Sequence, residues 1–256
     1  MTTQTLHRLR ELKLGGMAGA LEQQLQQVDT FKALPFVERL SLLLEQEHSL
    51  RENRKQLRLI RQARFRVSAT VQEIDYQHKR NLKREVVARL AQGEWIERKQ
   101  NLLITGACGS GKTYIACALG HAACLRDHSV RYYRLSRLLQ ELTQAKADGS
   151  YTKLLKQLSR TKVLILDDWG LEPLQPAHRH DLLEILDDRH DNSSAVVVSQ
   201  LPLDQWYVSI GDNTLADAIL DRLMHNAHKI KLLLNGEDSM RTVSYTHLTL
   251  PTICSV

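Results

Sequence analysis

Residues 101–120 read NLLITGACGSGKTYIACALG and contain the most informative pattern of the chain. An apolar run is followed by a loop from Gly106 to Gly111, and Lys112 and Thr113 then open a helix-forming segment. The spacing Gly-x-x-x-x-Gly-Lys-Thr between a strand and a helix is that of a P-loop. A glycine-rich turn without a ligand is the alternative, but the strand before the loop and the helix after it favour a nucleotide.

The P-loop pattern assigns a role to each of its residues. Its glycines let the backbone turn so that successive N–H groups point inward around phosphates. Lys112 is expected to reach the β- and γ-phosphates, and Thr113 to offer its hydroxyl to Mg²⁺. The helix that follows would direct its positive end at the same anion. We therefore expect ATP and Mg²⁺ as cofactors. The predicted nucleotide-binding residues are Gly106, Ala107, Cys108, Gly109, Ser110, Gly111, Lys112, Thr113 and Tyr114.

The composition of the 256 residues, 43% hydrophobic and 25% charged, is that of a globular protein. No run approaches the ~18 apolar residues of a membrane span, and the N-terminus lacks the apolar core of a signal peptide. We expect a cytoplasmic protein without a membrane partner. The four cysteines form no C-x-x-C pair and are interpreted as reduced thiols. They are Cys108, Cys117, Cys124 and Cys254.

Basic residues are concentrated before the P-loop. Residues 1–100 contain 19 Lys and Arg against 12 Asp and Glu, whereas residues 101–256 contain 16 against 17. The net charges are therefore +7 and −1. This asymmetry indicates an N-terminal part that meets a polyanion and a C-terminal part that carries out chemistry.

Residues 1–66 are predicted to be helical, because good helix formers predominate. In the second half of this segment basic residues recur at helical spacing and would form a stripe, with Leu57 and Ile60 on the other side. A solvated face is the ordinary alternative, but only Glu52 offsets seven Lys and Arg between positions 51 and 66, which favours contact with DNA phosphates. The predicted DNA-binding residues are Arg51, Arg54, Lys55, Arg58 and Arg61.

Residues 67–100 are interpreted as a connector. A second basic group within it is predicted to lie on a short helix; its members are Lys79, Arg80, Lys83 and Arg84.

From residue 101 onward, predicted strands alternate with predicted helices. The strands are expected at 101–105, 129–134, 162–166, 194–199 and 228–234. The helices are expected at 112–126, at 136–158 with a break near 148–149, at 176–190 and at 214–225. Strands separated by helices of this length predict an α/β fold with a parallel sheet covered on both faces.

The segment VLILDDWG, residues 163–170, predicts the second half of the nucleotide site. Four apolar residues form a buried strand, and Asp167 and Asp168 follow at its carboxyl end, where open α/β sheets bind ligands. Asp167 is the candidate ligand of hydrated Mg²⁺. Asp168 is placed to orient or deprotonate an attacking water, so the predicted reaction is phosphoryl transfer to water. Solvation of the strand end is the alternative, but a P-loop about fifty-five residues earlier favours the site.

Two further positions are less specific. The strand SAVVVSQLP, residues 194–202, ends in Ser199 and Gln200, either of which would lie near the γ-phosphate or the water. A strand that runs into a proline turn explains the same pattern equally well. Arg222 is placed near the end of a helix, and from the residues alone a surface ion pair is its ordinary interpretation.

Several segments, taken in order, resemble the IstB-like AAA+ ATPases, ATP-binding helper proteins encoded by insertion sequences. The segments are GACGSGKT, VLILDDWG, SQLP and IGDNTLADAILDRLMHNAHKI. Upstream, LRELKLGGMAGALEQQ, RLSLLLEQEHSLRENR and WIERKQNLLITG extend the resemblance over about residues 5–241. The family is related to the helicase loader DnaC and, more remotely, to the initiator DnaA.

The resemblance implies a AAA+ P-loop NTPase with a five-stranded parallel sheet, preceded by a small all-helical domain. It implies that Ser199 is a first sensor and that Arg222 is an arginine finger for the ATP of a neighbouring subunit, so the candidate catalytic residues are Lys112, Asp168, Ser199 and Arg222. The implied partners are duplex DNA, a cognate transposase and further copies of the chain in a homo-oligomer. Arg241 resembles a second sensor.

The predicted organisation is a helical DNA-binding domain at 1–66, the connector at 67–100 and a AAA+ ATPase domain at 101–241. Residues 242–256, TVSYTHLTLPTICSV, depart from the family's basic tail and are interpreted as read-through or a misjoined end. A helicase loader is the main alternative function, and preference for single-stranded over duplex DNA would distinguish it. A small-molecule phosphotransferase is the third, and DNA-stimulated turnover would exclude it.

Overall fold

The computed structural model describes residues 2–77 and 80–233. The helices before the P-loop are α1 (Thr2–Glu11), α2 (Gly15–Gln26), α3 (Val28–Lys32), α4 (Phe36–Ala63), α5 (Arg84–Ala91) and α6 (Glu94–Glu97). The following elements are β1 (Asn101–Gly106), α7 (Lys112–Leu125), β2 (Val130–Arg134), α8 (Leu135–Asp148), α9 (Tyr151–Arg160), β3 (Val163–Trp169), α10 (Pro176–Arg189), β4 (Ser194–Ser199), α11 (Trp206–Ile210), α12 (Asn213–Met224) and β5 (Ala227–Leu232). The predicted alternation of strands and helices is confirmed.

The five strands form one parallel sheet in the order β2-β3-β4-β1-β5. Successive side chains of each strand point to opposite faces of the sheet. The apolar strands therefore contribute to two cores, one on each face. Val163 and Ile165 pack with α5, α6 and α7 on one face, whereas Leu164 and Leu166 pack with α8 to α12 on the other. The carboxyl ends of β1, β3 and β4 therefore meet at one edge of the sheet.

Residues 1–58 form a compact helical unit. Its helices α2 and α4 approach closely at Gly16, where a Cβ would lie 2.6 Å from Glu47 Cα. Glu47 is only 6% exposed, and its carboxylate accepts hydrogen bonds from the backbone N–H groups of Gly16 (2.7 Å) and Met17 (3.2 Å). These are N–H groups of the first turn of α2, which lack partners within the helix. A carboxylate on α4 thus caps α2.

The described residues from Leu59 onward form the second unit, and the division falls inside α4. The end of α4 belongs to the core of this unit, since Ala63 is fully buried and Leu59, Ile60 and Phe65 pack around it. The segment therefore extends the core of the second unit, although its sequence continues the helical pattern. The boundaries 1–66, 67–100 and 101–241 remain predictions.

The second basic group differs from its predicted form. The helix α5 begins only at Arg84, so Arg80 and Lys83 precede it, and Arg80 is buried at 3% exposure because it packs against the P-loop. Lys79, Arg241 and the tail 242–256 lie outside the described residues. None of the helices described is long and apolar enough to cross a membrane.

Candidate nucleotide-binding site

The P-loop connects β1 to α7 through backbone conformations that favour glycine. Gly106 has φ 153° and Gly111 has φ 85°, both in the region that side chains disfavour. A Cβ on Gly106 would lie 2.5 Å from the carbonyl oxygen of Leu232 in the neighbouring strand β5. The spacing of the motif therefore corresponds to a loop folded tightly against the sheet edge.

Polar groups of the loop are available to a ligand. The backbone N–H groups of Cys108, Gly109 and Gly111 donate to no acceptor within residues 2–77 and 80–233, and the buried Ser110 hydroxyl has no partner there either. The ammonium group of Lys112 donates to the Ala107 carbonyl at 2.7 Å. Backbone N–H donors without an acceptor, a lysine and a helix N-terminus fit a polyphosphate.

Asp167 lies at the centre of the site and is 1% exposed. Its Oδ2 accepts hydrogen bonds from the hydroxyls of Thr113 (2.8 Å) and Tyr132 (2.6 Å), and its Oδ1 accepts one from the Asp168 N–H (2.8 Å). Burial and the Asp167 carboxylate both raise the pKa of Tyr132, which therefore remains a phenol donor. Thr113 and Asp167, the two residues predicted to bind Mg²⁺, thus lie side by side and present two oxygens of the kind that suits this ion.

Asp168 has a strained backbone and lies between two arginines. Its φ of 61° is uncommon outside glycine, and the register between β3 and β4 shifts at this point. Its carboxylate lies 3.6 Å from the Arg66 guanidinium and 3.7 Å from that of Arg134. Arg66 also lies 3.9 Å from Asp167, so it faces both carboxylates.

Ser199 is buried at the end of β4, and both hydrogen-bonding capacities of its hydroxyl are engaged. The hydroxyl donates to the Trp169 carbonyl at 2.8 Å and accepts from the Leu201 N–H at 3.0 Å. It therefore ties the end of β3 to the turn after β4. Ser199 and Gln200 both line the cleft, and the Gln200 amide has no hydrogen bond to another described residue.

A cleft of about 720 Å³ brings these groups together. It is lined by the P-loop and the ends of β3 and β4. A further wall is formed by Arg66 and by four residues of the connector, Val67, Glu73, Asp75 and Arg80. Tyr114 also lines the cleft, and its hydroxyl donates to Glu73 at 3.3 Å.

Sequence reasoning identified the P-loop and the aspartates but missed Arg66, Arg80, Tyr132 and Arg134. None belongs to a spaced motif. The position of Arg134 directly before α8, at the end of a predicted strand, is the one signal that could have indicated a residue at this edge.

Arg222 lies away from this cleft. Asn101, the first residue of β1, donates to the Arg222 carbonyl at 2.9 Å, and the guanidinium of Arg222 pairs with Asp187 at 2.6 Å. The P-loop begins at the opposite end of β1, a strand of six residues, which places it roughly 16 Å farther along at about 3.3 Å per residue. The structure therefore does not join Arg222 to the P-loop and Asp167 of its own chain.

The basic stripe lies on α4 as predicted, with all five side chains exposed. One of them has an additional role, because Arg51 donates to the buried Glu47 at 2.6 Å. The stripe therefore offers positive charge to solvent, whereas its first member also fixes the cap of α2.

The three cysteines within the described residues are free thiols. Burial raises the pKa of Cys117 to about 11 and that of Cys124 to about 12, so both remain protonated near neutral pH.

Comparison with known proteins identifies the family. The model of the IstB-like ATP binding protein family matches residues 7–246. This chain belongs to that family. A relative described as a putative insertion sequence ATP-binding protein of Sinorhizobium fredii is 46% identical over 237 residues, which cover 93% of this chain and 96% of the relative.

Two solved structures share the fold. The DnaC helicase loader has a TM-score of 0.53 at 20% identity, covering 64% of this chain and 96% of that one. The AMPPCP-bound DnaA of Aquifex aeolicus has a TM-score of 0.57 at 16% identity, covering 74% of this chain and 59% of that one. The IstB-like chain thus has the AAA+ P-loop fold predicted, with a helical region before it.

Proposed function

We propose that this IstB-like protein is an ATPase that assembles on duplex DNA as a homo-oligomer and assists transposition by recruiting or activating its cognate transposase. The family and the P-loop site support ATP binding.

The arrangement of the cleft supports phosphoryl transfer to water. Lys112 and the loop N–H groups would hold the phosphates, and Thr113 with Asp167 would hold Mg²⁺. When bound, the metal would neutralise charge on the phosphate oxygens. Asp168, at the strand end beside Asp167, would orient the attacking water or accept its proton.

The observation that carries the assembly is the position of Arg222. The predicted ATP-binding residues lie at the carboxyl edge of the sheet. Arg222 lies at the opposite edge, where its carbonyl is hydrogen-bonded to Asn101 at the amino end of β1. An arginine on the opposite edge cannot complete its own site but can complete the site of a neighbouring copy. ATP would then lie between subunits, so binding builds the assembly and hydrolysis dismantles it.

Duplex DNA is the polyanion that we assign to the stripe on α4. Its five exposed basic side chains follow one helix, and a stripe of this kind suits a phosphate backbone without reading its sequence.

The test compares ATPase activity with duplex DNA, with single-stranded DNA and without DNA, and measures particle size with a non-hydrolysable ATP analogue. We expect duplex DNA to stimulate ATP turnover. With the analogue, we expect the protein to form oligomers on duplex DNA, and these oligomers to bind the transposase. Preference for single strands would favour the helicase loader, and activity unaffected by any DNA would contradict the proposal.

A further inference from the structure

Arg80 of the connector is a buried arginine that contacts the P-loop. Its Nη1 donates to the Ser110 carbonyl at 3.1 Å, and its Nη2 donates to the Asp75 carbonyl at 2.5 Å. Its own carbonyl accepts from the Leu233 N–H at 3.2 Å. Hydrogen bonds therefore fix both the backbone and the side chain of Arg80. A surface arginine that contacts DNA would need no such bonds to its own chain.

The contact with Ser110 fixes one peptide of the loop. In a trans peptide the carbonyl and the following N–H point in opposite directions. Since the Ser110 carbonyl faces Arg80, the Gly111 N–H points away from it, and within the described residues this N–H has no acceptor. A Cβ on Gly111 would lie 2.5 Å from Arg80 Nη1. Glycine at this position thus allows the guanidinium to approach the backbone.

The charge of Arg80 also belongs to the cleft. Arg80 lines the cleft together with Gly111 and Lys112, and its buried Nε has no partner among the residues described. Burial lowers the pKa of Arg80, and the charges of Asp75 and Tyr76 oppose that shift. A guanidinium remains protonated under such conditions.

We propose that Arg80 is a positioning residue for the polyphosphate of the nucleotide. Its guanidinium holds the Ser110 carbonyl on the outer side of the loop, keeps the Gly111 N–H turned toward the phosphates, and adds positive charge beside them. The inference rests on the proposed ATP site. Arg80 should affect binding of the phosphate chain and not of the nucleoside, because its contact with the nucleotide site is made at the P-loop, through the Ser110 carbonyl.

The experiment displaces a fluorescent ADP derivative from the full chain in EDTA, with pyrophosphate and adenosine as separate competitors. Arg80→Met removes the charge and both hydrogen bonds, and Arg80→Lys keeps the charge only. Loss of a charge-assisted hydrogen bond should weaken pyrophosphate binding to Arg80→Met by roughly 10- to 100-fold. Adenosine should compete as it does with the wild type, and Arg80→Lys should show a smaller loss for pyrophosphate.

The control is Arg84→Met, which removes an exposed charge at the start of α5 and should change neither competitor. Equal loss for pyrophosphate and adenosine, or no loss, would overturn the inference. Should Arg80→Met fail to fold by circular dichroism, wild-type pyrophosphate binding by Arg80→Lys would overturn it, and selective loss would support it. A wild-type chain that binds no nucleotide would refute the proposed function instead.

Discussion

The hydroxyl of Thr113 donates a hydrogen bond of 2.8 Å to Oδ2 of Asp167, which lies 54 residues later in the chain. The bond joins the start of α7 to the end of β3. It places a hydroxyl and a carboxylate oxygen together beside the P-loop, as a magnesium nucleotide requires.

Lys112 and Asp168 are expected to separate binding from turnover. Lys112→Ala should abolish ATP binding, because its ammonium group is the principal cation of the loop. Asp168→Asn should still bind ATP but should lose roughly 10²–10⁴ of turnover, the usual contribution of a general base. Nucleotide binding and steady-state ATPase assays check both. Unchanged turnover in the Asp168 variant would refute the role assigned to it.

Tyr132 is expected to control the affinity for Mg²⁺. Tyr132→Phe removes the 2.6 Å hydrogen bond to Asp167, and loss of such an outer partner typically costs ~10–100-fold in metal affinity. The Mg²⁺ concentration at half-maximal ATPase should rise accordingly. The matched control is Tyr133→Phe, a change in the neighbouring buried residue of the same strand. Equal Mg²⁺ dependence in both variants would contradict this role.

The basic stripe is expected to contact DNA phosphates. Arg54→Gln together with Arg58→Gln should flatten the slope of log K against log[salt] by up to ~0.9 per lost contact. This pair spares Arg51, which also stabilises the α2 cap. Weaker binding with an unchanged slope would indicate that the stripe acts through folding.

The control for the stripe replaces two exposed basic residues of the second unit, Arg137 and Lys162, by Gln. Their loss should leave the salt slope unchanged. Equal flattening in this variant would mean that net charge, not the stripe, determines DNA affinity.

Glu47 is expected to make stability depend on acid pH. Burial opposes its ionisation, but the hydrogen bonds from Arg51, Met17 and Gly16 outweigh burial and lower its pKa below the ordinary 4.5. A lowered folded-state pKa gives stability above the unfolded pKa that is lost as pH falls through the folded value. The temperature at which the full chain unfolds should therefore decrease as the pH falls below about 4.5.

The comparison is Glu47→Gln, which retains the size of the side chain but cannot ionise. It should unfold at a lower temperature than the wild type at pH 7, and the difference should shrink as pH falls below 4.5. A difference that stays constant over pH 3.5 to 7 would show that the charge of Glu47 contributes nothing.

The sheet and the loop were predictable because their signals are local. One signal is an apolar run that ends in Asp167 and Asp168, and the other is the set of glycines before Lys112. Each indicates both a backbone conformation and a chemical role within a few positions. The bounds of the strands differ from their predicted bounds by a few residues at most, since burial on both faces leaves continuous apolar runs.

The surroundings of the site were not predictable in this way. Arg80 contacts Ser110 across 30 residues, and no periodicity records that contact. Glu47 lies in a helix rich in charged residues, a pattern that favours exposure, yet it is buried because it caps another helix. Such contacts depend on tertiary packing, which overrides the local pattern.

The central claim, that ATP lies between subunits, depends on Arg222. An arginine finger contributes ~10³–10⁵ in rate in phosphoryl-transfer enzymes. Arg222→Ala should therefore bind ATP and hydrolyse it poorly, and Lys112→Ala should not bind it. Neither variant alone has a complete site. A mixed assembly contains interfaces at which an intact P-loop meets an intact Arg222.

The decisive measurement is the duplex-stimulated ATPase of Arg222→Ala mixed with Lys112→Ala, with subunit exchange followed by fluorescence transfer between labelled chains. We predict that activity returns on mixing and rises with protein concentration. If the subunits exchange and the mixture stays inactive, or if Arg222→Ala alone retains full activity, Arg222 does not act on a neighbouring site and the ATP-bridged assembly is contradicted.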